Sequence, residues 1–227
     1  MVKQYKKKVL VIAPHPDDEV LGCGGTILKH LHNNDSVTVC IVSVRNQPLF
    51  TKQMNLEQYA ELKEAHKVLG IDESIILDFD SVMLDRVPHN ELNTALTDVV
   101  KKVQPDILYV PFVGDIHLDH QLVAKSALVA CRPIDNQSIE KVVMYETPSE
   151  TEWNFPKAEN IFIPNLYVDI TDFIDLKLDA MSKYKSQSKN YPHPRSIEKI
   201  KALASMRGGA VSLQYAETFM LVRDIIR

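Results

Sequence analysis

No apolar run in this 227-residue sequence is long enough to cross a bilayer. The longest, Val37–Val44, is broken by Thr38 and Ser43 and falls far short of the ~18–20 residues a spanning helix needs. A basic surplus is missing too. Twenty-six Lys and Arg face 30 Asp and Glu, a formal charge of −4, whereas a nucleic-acid backbone partner wants a basic face. Cysteine is sparse. Cys23, Cys40 and Cys131 are odd in number and widely spaced, with no CxxC pair, which excludes a disulfide framework and a thiolate zinc knuckle. A reducing cytoplasm is the expected location, and Cys23 reads as small buried filler. The Lys3–Lys8 start followed by Val9–Ala13 imitates a signal peptide. Its apolar stretch is too short and meets His15-Pro16-Asp17-Asp18 at once, so it reads as a strand. There is no internal repeat, low-complexity tract or obvious linker.

What remains is the balance of a soluble globular protein, 45% hydrophobic and 25% charged. The length suits one α/β domain over residues 1–227, able to bury roughly 70% of its extended surface. Val9–Ala13, Ser36–Val44, Ile75–Leu77, Ile107–Pro111 and Lys141–Tyr145 read as strands. Thr26–Asn33, Leu56–Leu69, Glu91–Val103 and Leu118–Cys131 read as the intervening helices, the second closed by Gly70. This βαβα order predicts a Rossmann-like, mostly parallel sheet with helices on both faces. After Tyr145 the spacing predicts a long ordered loop over Thr147–Pro164, a strand over Asn165–Ile170, helices over Asp172–Ser186 and Ser196–Arg207, and a terminal apolar segment, Phe219–Ile226. Pro192 and Pro194 forbid continuous helix through Ser186–Arg195.

Ligands of an open parallel sheet bind off the carboxyl ends of its strands. Two such ends carry unusual compositions: Pro14-His15-Pro16-Asp17-Asp18-Glu19 after the first strand, and Gly114-Asp115-Ile116-His117-Leu118-Asp119-His120 after Ile107–Pro111. Imidazoles plus a carboxylate suit a divalent transition metal, usually zinc, with one position left for water. Of Asp17 and Asp18, one can bind the metal while the other serves as general base towards the water. A remaining histidine, if protonated, can stabilise an oxyanion. Blander readings also exist: a solvated helix start for the acidic run and surface positions for His117 and His120. Gly22-Cys23-Gly24-Gly25 breaks the GxGxxG register at Ile27, so close helix packing explains it better than a phosphate loop. His30, His32, His66 and His89 show no partner pattern.

Pro14–Glu19 with Gly22-Cys23-Gly24-Gly25-Thr26, together with His117-Leu118-Asp119-His120, resembles the zinc-dependent N-deacetylases typified by the PIG-L and LmbE proteins. Ser186-Gln187, His193-Pro194-Arg195-Ser196, Arg207-Gly208 and Tyr215-Ala216-Glu217 extend the likeness to about Arg223. The resemblance implies His15, Asp18 and His120 as zinc ligands and Asp17 as general base. It makes His117 the oxyanion stabiliser or the donor to the leaving amine, and Asp119 the group that orients a histidine. It implies an N-acetylglucosamine-type substrate (a sugar nucleotide, a glycan precursor or a glucosaminyl conjugate) and a homo-oligomer. Arg195, with His193 beside it, is the candidate anchor for an anionic substrate group. Trp153, Phe155 and Tyr145 are candidates to stack on a sugar. Asp115 stands where several relatives have Tyr, and Gln58 where thiol-cofactor relatives carry Arg. The competing class is a non-hydrolytic, Rossmann-like nucleotide-binding module, which would need the glycine run to hold phosphate and an acid after the second strand. Ser43–Arg45 supplies no such acid.

Overall fold

Along Val9–Ala13, odd residues face one side of a sheet and even residues the other, and all are apolar because both sides are covered. In the computed structural model, which describes residues 6–134 and 139–226, this strand is β1 (Lys8–Ala13). Val9, Val11 and Ala13 join one core and Leu10 and Ile12 the other. The remaining parallel strands are β2 (Ser36–Val44), β3 (Glu73–Asp80), β4 (Ile107–Pro111) and β5 (Lys141–Tyr145). β6 (Leu166–Asp169) and β7 (Ala216–Asp224) complete one seven-stranded sheet in the order β3-β2-β1-β4-β5-β7-β6. The first five strands pair in parallel, and β7 runs antiparallel to both β5 and β6.

Helices α1 (Asp18–His32), α2 (Lys52–Leu69), α5 (Ile174–Lys183) and α6 (Ile197–Gly209) cover one face. Helices α3 (His89–Val103) and α4 (Leu118–Ala130) cover the other. Each fully buried Val, Leu or Ile contributes about 1.5–3 kcal/mol, so these two apolar layers dominate the favourable side of folding. Among the described residues no helix is long and apolar enough to cross a membrane. The Lys3–Tyr5 part of the basic start lies outside the described residues. The chain winds outwards from β1 through β2 to β3, then returns to place β4 on the other flank of β1. The reversal between β1 and β4 opens a crevice at their carboxyl ends.

The largest departure from expectation is α1, which starts at Asp18, not Thr26, and carries the glycine run inside it. Packing overrides propensity here. A methyl group at Gly22 would run into the Tyr145 ring, and one at Gly25 would lie 2.7 Å from Ile170 Cβ. The Gly25 and Thr26 amides donate to the Glu217 carboxylate at 2.8 and 2.7 Å. Lys177 Nζ in turn donates to Glu217 at 2.6 Å and to the Leu21 carbonyl at 2.9 Å. These glycine-run amides hold a protein carboxylate, and the wall beside them is filled, so the run is no phosphate loop. The Asp172–Ser186 helix is also shorter than expected: a single 3-10 turn, Thr171–Phe173, precedes α5, and Tyr184 ends it.

Gly22→Ala should therefore destabilise by about 1–3 kcal/mol through overpacking, although alanine gains about 1 kcal/mol of helix propensity. Gly209→Ala, with open space at its Cβ position, should stabilise by about 0.4–1 kcal/mol. Thermal or urea midpoints of the two variants check the opposite signs.

Candidate metal centre and active-site cavity

β1 ends at Ala13, and the chain turns through His15 before α1 begins at Asp18. β4 ends at Pro111, and His117 caps the start of α4, placing His120 on its first turn. The crevice thus brings the two clusters together. Ring centroids of His15 and His120 lie 5.3 Å apart, and His117 lies 4.6 Å from His15 and 5.2 Å from His120.

The carboxylate of Asp18 sits between two imidazoles, its Oδ2 3.4 Å from His15 Nδ1 and 3.2 Å from His120 Nε2. Each ring is held from behind by a second carboxylate. His120 Nδ1 bonds Asp115 Oδ2 at 2.9 Å, and His15 Nε2 bonds Asp119 Oδ2 at 3.0 Å. One nitrogen of each ring is thereby pinned and the other is turned towards Asp18, the pattern by which carboxylates orient metal-binding histidines. Asp18 Oδ1 and His120 Nε2 are buried without a hydrogen-bond partner. Orphaned polar atoms of this kind are what a cation would satisfy. Candidate ligand atoms of His15, Asp18 and His120 lie within 4.8 Å of one another.

His15, His117 and Asp119 form a second cluster of the same spread, but its lone pairs are already engaged. Asp119 accepts from the amides of Val82 at 2.7 Å and Leu84 at 3.3 Å, besides bonding His15. His117 Nδ1 accepts the Asp119 amide at 3.1 Å. The residues fit a metal best at His15, Asp18 and His120.

The acidic run is not solvated. Asp17, Asp18 and Glu19 are 2%, 1% and 0% exposed, so the bland surface reading fails for them. Asp17 is held at φ 116°, ψ −28°, a left-handed conformation that costs a non-glycine residue of order 1–3 kcal/mol. Its amide donates to Glu19 Oε2 at 3.0 Å, and Glu19 is tied down by the Tyr184 hydroxyl at 2.5 Å. Arg195 grips Asp17 Oδ2 at 2.9 Å and Glu150 at 2.9 Å. Burial pushes the Asp17 carboxyl up to about 8 against the opposing pull of Arg195. Asp18 goes the other way: despite burial, His120 and His15 hold it well below the usual carboxylate range. The two neighbours are electrostatically unlike, which the sequence alone did not establish.

Burial and the adjacent His15 and His120 push His117 down to about 4, so its imidazole is neutral near pH 7. Because Nδ1 accepts the Asp119 amide, the neutral ring carries its proton on Nε2 as a donor.

His15, Asp17, His117 and Arg195 line one cavity of about 240 Å³ together with Arg45, Phe50, Gln58, Ser81, Val82, Glu150 and Gln187. His193 lies outside that lining. Its ring meets Trp153 edge-on, 5.4 Å between centroids, and its Nδ1 accepts the Arg195 amide at 3.1 Å. Trp153 and Phe155 are 53% and 71% exposed and also lie outside the lining. Tyr145 cannot stack on a sugar. It is fully buried, and its hydroxyl donates to the Ile12 carbonyl at 2.9 Å. Two histidines without sequence partners do have them: His30 bonds Asp35 and Tyr109 at 2.7 and 2.9 Å, and buried His66 bonds Ser74 Oγ through Nδ1 at 2.7 Å, with Glu19 3.4 Å from its Nε2. Sequence reasoning noted Asp115 only as a departure and missed that it orients His120. Its five-residue spacing to that histidine was the available signal.

The PIG-L family model, described as GlcNAc-PI de-N-acetylase, matches residues 10–131, a span that includes both His/Asp clusters. The chain belongs to the PIG-L family. It is 29% identical over 190 residues to the uncharacterized deacetylase YaiS of Escherichia coli K12, covering 80% of this chain and 92% of that one. To the diacetylchitobiose deacetylase of Thermococcus kodakarensis it is 27% identical over 207 residues, covering 80% and 70%. Among solved structures, the conserved protein TT1542 of Thermus thermophilus superposes with a TM-score of 0.79 at 27% identity, covering 97% of both chains. The mostly parallel α/β sheet expected from strand order is thus the fold of this PIG-L chain.

If Asp115 orients His120 for a metal, Asp115→Ala should weaken zinc affinity by about 10–100-fold. The measurement is competition with a chromophoric chelator, with far-ultraviolet circular dichroism confirming the fold.

Proposed function

We propose that this protein is a zinc-dependent hydrolase that removes the N-acetyl group from an N-acetylglucosamine-type amino sugar, releasing acetate and a free amine. The observation that carries the reading is the pair of carboxylate-pinned histidines flanking buried Asp18, with Asp17 beside them on the cavity wall. His15, Asp18 and His120 would hold the zinc. When bound, it supplies Lewis acidity and activates water at neutral pH. The diacetylchitobiose named for the Thermococcus relative and the GlcNAc named in the family description support an acetylated amino sugar.

Asp17 is the general base. In its ionised form, which burial opposes and the Arg195 guanidinium favours, its Oδ2 is fixed by Arg195 and Oδ1 is left to take a proton from the attacking water. A carboxyl with high proton affinity can pass that proton to the leaving nitrogen once the amide C–N bond breaks. His117 presents a neutral Nε2–H to the oxygen that gains negative charge in the tetrahedral intermediate. Asp119 serves twice, its carboxylate orienting His15 and its amide fixing the His117 tautomer. Arg195 contacts the substrate's polar edge from the cavity wall, with His193 bracing its backbone. Three buried, unpaired cysteines support a reducing cytoplasm, and self-association is proposed on family likeness alone.

The test is release of acetate from N-acetylglucosamine, diacetylchitobiose and acetyl-lysine peptide by zinc-loaded enzyme. The acetyl sugars should be turned over and the peptide not; a preference for acetyl-lysine would reverse the reading. Asp17→Asn should keep near-stoichiometric zinc and lose roughly 10²–10⁴ in rate, because Arg195 retains Glu150 and the three ligands are untouched. Full activity of that variant would remove the base assignment.

A further inference from the structure

Two arginines line the active-site cavity, and they are unlike. Arg195 is committed to Asp17 and Glu150. Arg45 forms no ion pair among the described residues, and the one protein acceptor its guanidinium reaches there is Ser186 Oγ, at a long 3.3 Å. That hydroxyl is itself spent on Glu61, to which it donates at 2.7 Å. The Arg45 side chain is half-buried, with its guanidinium 5.7 Å from the centre of the Phe50 ring. A half-buried guanidinium with most donors unmatched is an unfilled anion site in a way that a solvated surface arginine is not.

Its backbone is built to hold it there. Arg45 follows the last residue of β2. Its amide donates to Oε1 of Gln58, a side chain only 3% exposed, at 2.9 Å. Its carbonyl accepts from Asn55 Nδ2 at 2.8 Å. Both partners lie on α2, whose first turn is fixed by the Thr51 cap, Oγ1 accepting the Met54 amide at 3.2 Å. Gln58 therefore has a definite job: it does not offer a charge to the cavity but clamps the residue that does. The cavity, about 240 Å³, lies below the ~300–1,000 Å³ of sites for drug-sized ligands. Arg45 shares this lining with His15, Asp17 and His117, so a charged substituent on a ligand held beside those residues would come within its reach.

We infer that Arg45 selects the substrate by pairing with a phosphate or carboxylate on the amino sugar, so that the substrate class is an anionic N-acetylamino-sugar conjugate and not a neutral oligosaccharide. The inference rests on the deacetylase reading for its chemistry but on Arg45 alone for the charge.

Zinc-loaded enzyme should be given N-acetylglucosamine 1-phosphate, a hydroxy-acid glycoside of N-acetylglucosamine, and neutral diacetylchitobiose. kcat/KM should be higher for one of the two anions than for the neutral sugar, and whichever anion leads identifies phosphate or carboxylate. In Arg45→Gln the KM for that anion should rise roughly 10–100-fold, the worth of a charge-assisted hydrogen bond, with a much smaller change in kcat. Arg45→Lys should recover part of the loss. Preference of the wild type for diacetylchitobiose, or an unchanged anion KM in folded Arg45→Gln, overturns the inference while acetate release still upholds the deacetylase. If no substrate releases acetate, that reading falls. Calorimetric binding of glucosamine 1-phosphate and of a glucosaminyl hydroxy-acid glycoside, each against glucosamine, then decides the role of Arg45. Tighter binding of either anion that is lost in Arg45→Gln sustains it, and equal binding of all three refutes it.

Discussion

Everything in the crevice is arranged around one buried carboxylate. Asp18 is 1% exposed, and taking a charge out of water costs several kcal/mol unless close partners compensate. Its partners are two imidazoles, and each of those leans on a further carboxylate, Asp115 or Asp119. Three acidic groups converge on two rings of a type that is ordinarily neutral near pH 7. Without a metal, and against the opposing effect of burial, these carboxylates push both rings towards their protonated forms; a divalent cation bound there would supply the same positive charge in their place. The orphaned Asp18 Oδ1 and His120 Nε2 mark where.

The fold serves that centre by geometry. Because the chain reverses direction between β1 and β4, two segments about a hundred residues apart arrive side by side at the same sheet edge. The cost is visible at Asp17, whose left-handed backbone is tolerated because Glu19, Tyr184 and Arg195 all hold it. Helix α1 lies close against the sheet because glycines face Tyr145 and Ile170, and the Lys177–Glu217 pair takes over hydrogen bonds in its middle. The first turn of α1 is thus fixed from three sides before any ligand is considered.

Much of this was legible in the amino-acid order. Strand–helix alternation from Val9 to Tyr145 gives the parallel sheet, and the general rule for such sheets puts His15 and His120 at one edge. Chemistry alone left Asp17 and Asp18 interchangeable; only family likeness separated them, and the structure adds that burial and their different partners shift the two carboxyls in opposite directions. The start of α1 was misread because glycine is a poor helix former and the side chains that demand it, Tyr145 and Ile170, lie over a hundred residues away in sequence. Tyr145 looked like a mouth residue for the same reason: its place under Gly22 is a tertiary fact. His66 showed no pattern because its neighbour Glu19 comes from another element. Arg45 drew no attention beyond its not being an acid, since its meaning depends on which carboxylates Arg195 has already taken.

The most direct measurement is zinc stoichiometry and affinity of two single variants, Asp18→Ala and His117→Ala, compared with the parent protein by dialysis and elemental analysis. If His15, Asp18 and His120 form the metal centre, the parent holds one zinc per chain, Asp18→Ala loses it and His117→Ala keeps it. Retention of zinc by Asp18→Ala together with its loss from His117→Ala would move the centre to His15, His117 and Asp119 and contradict the account.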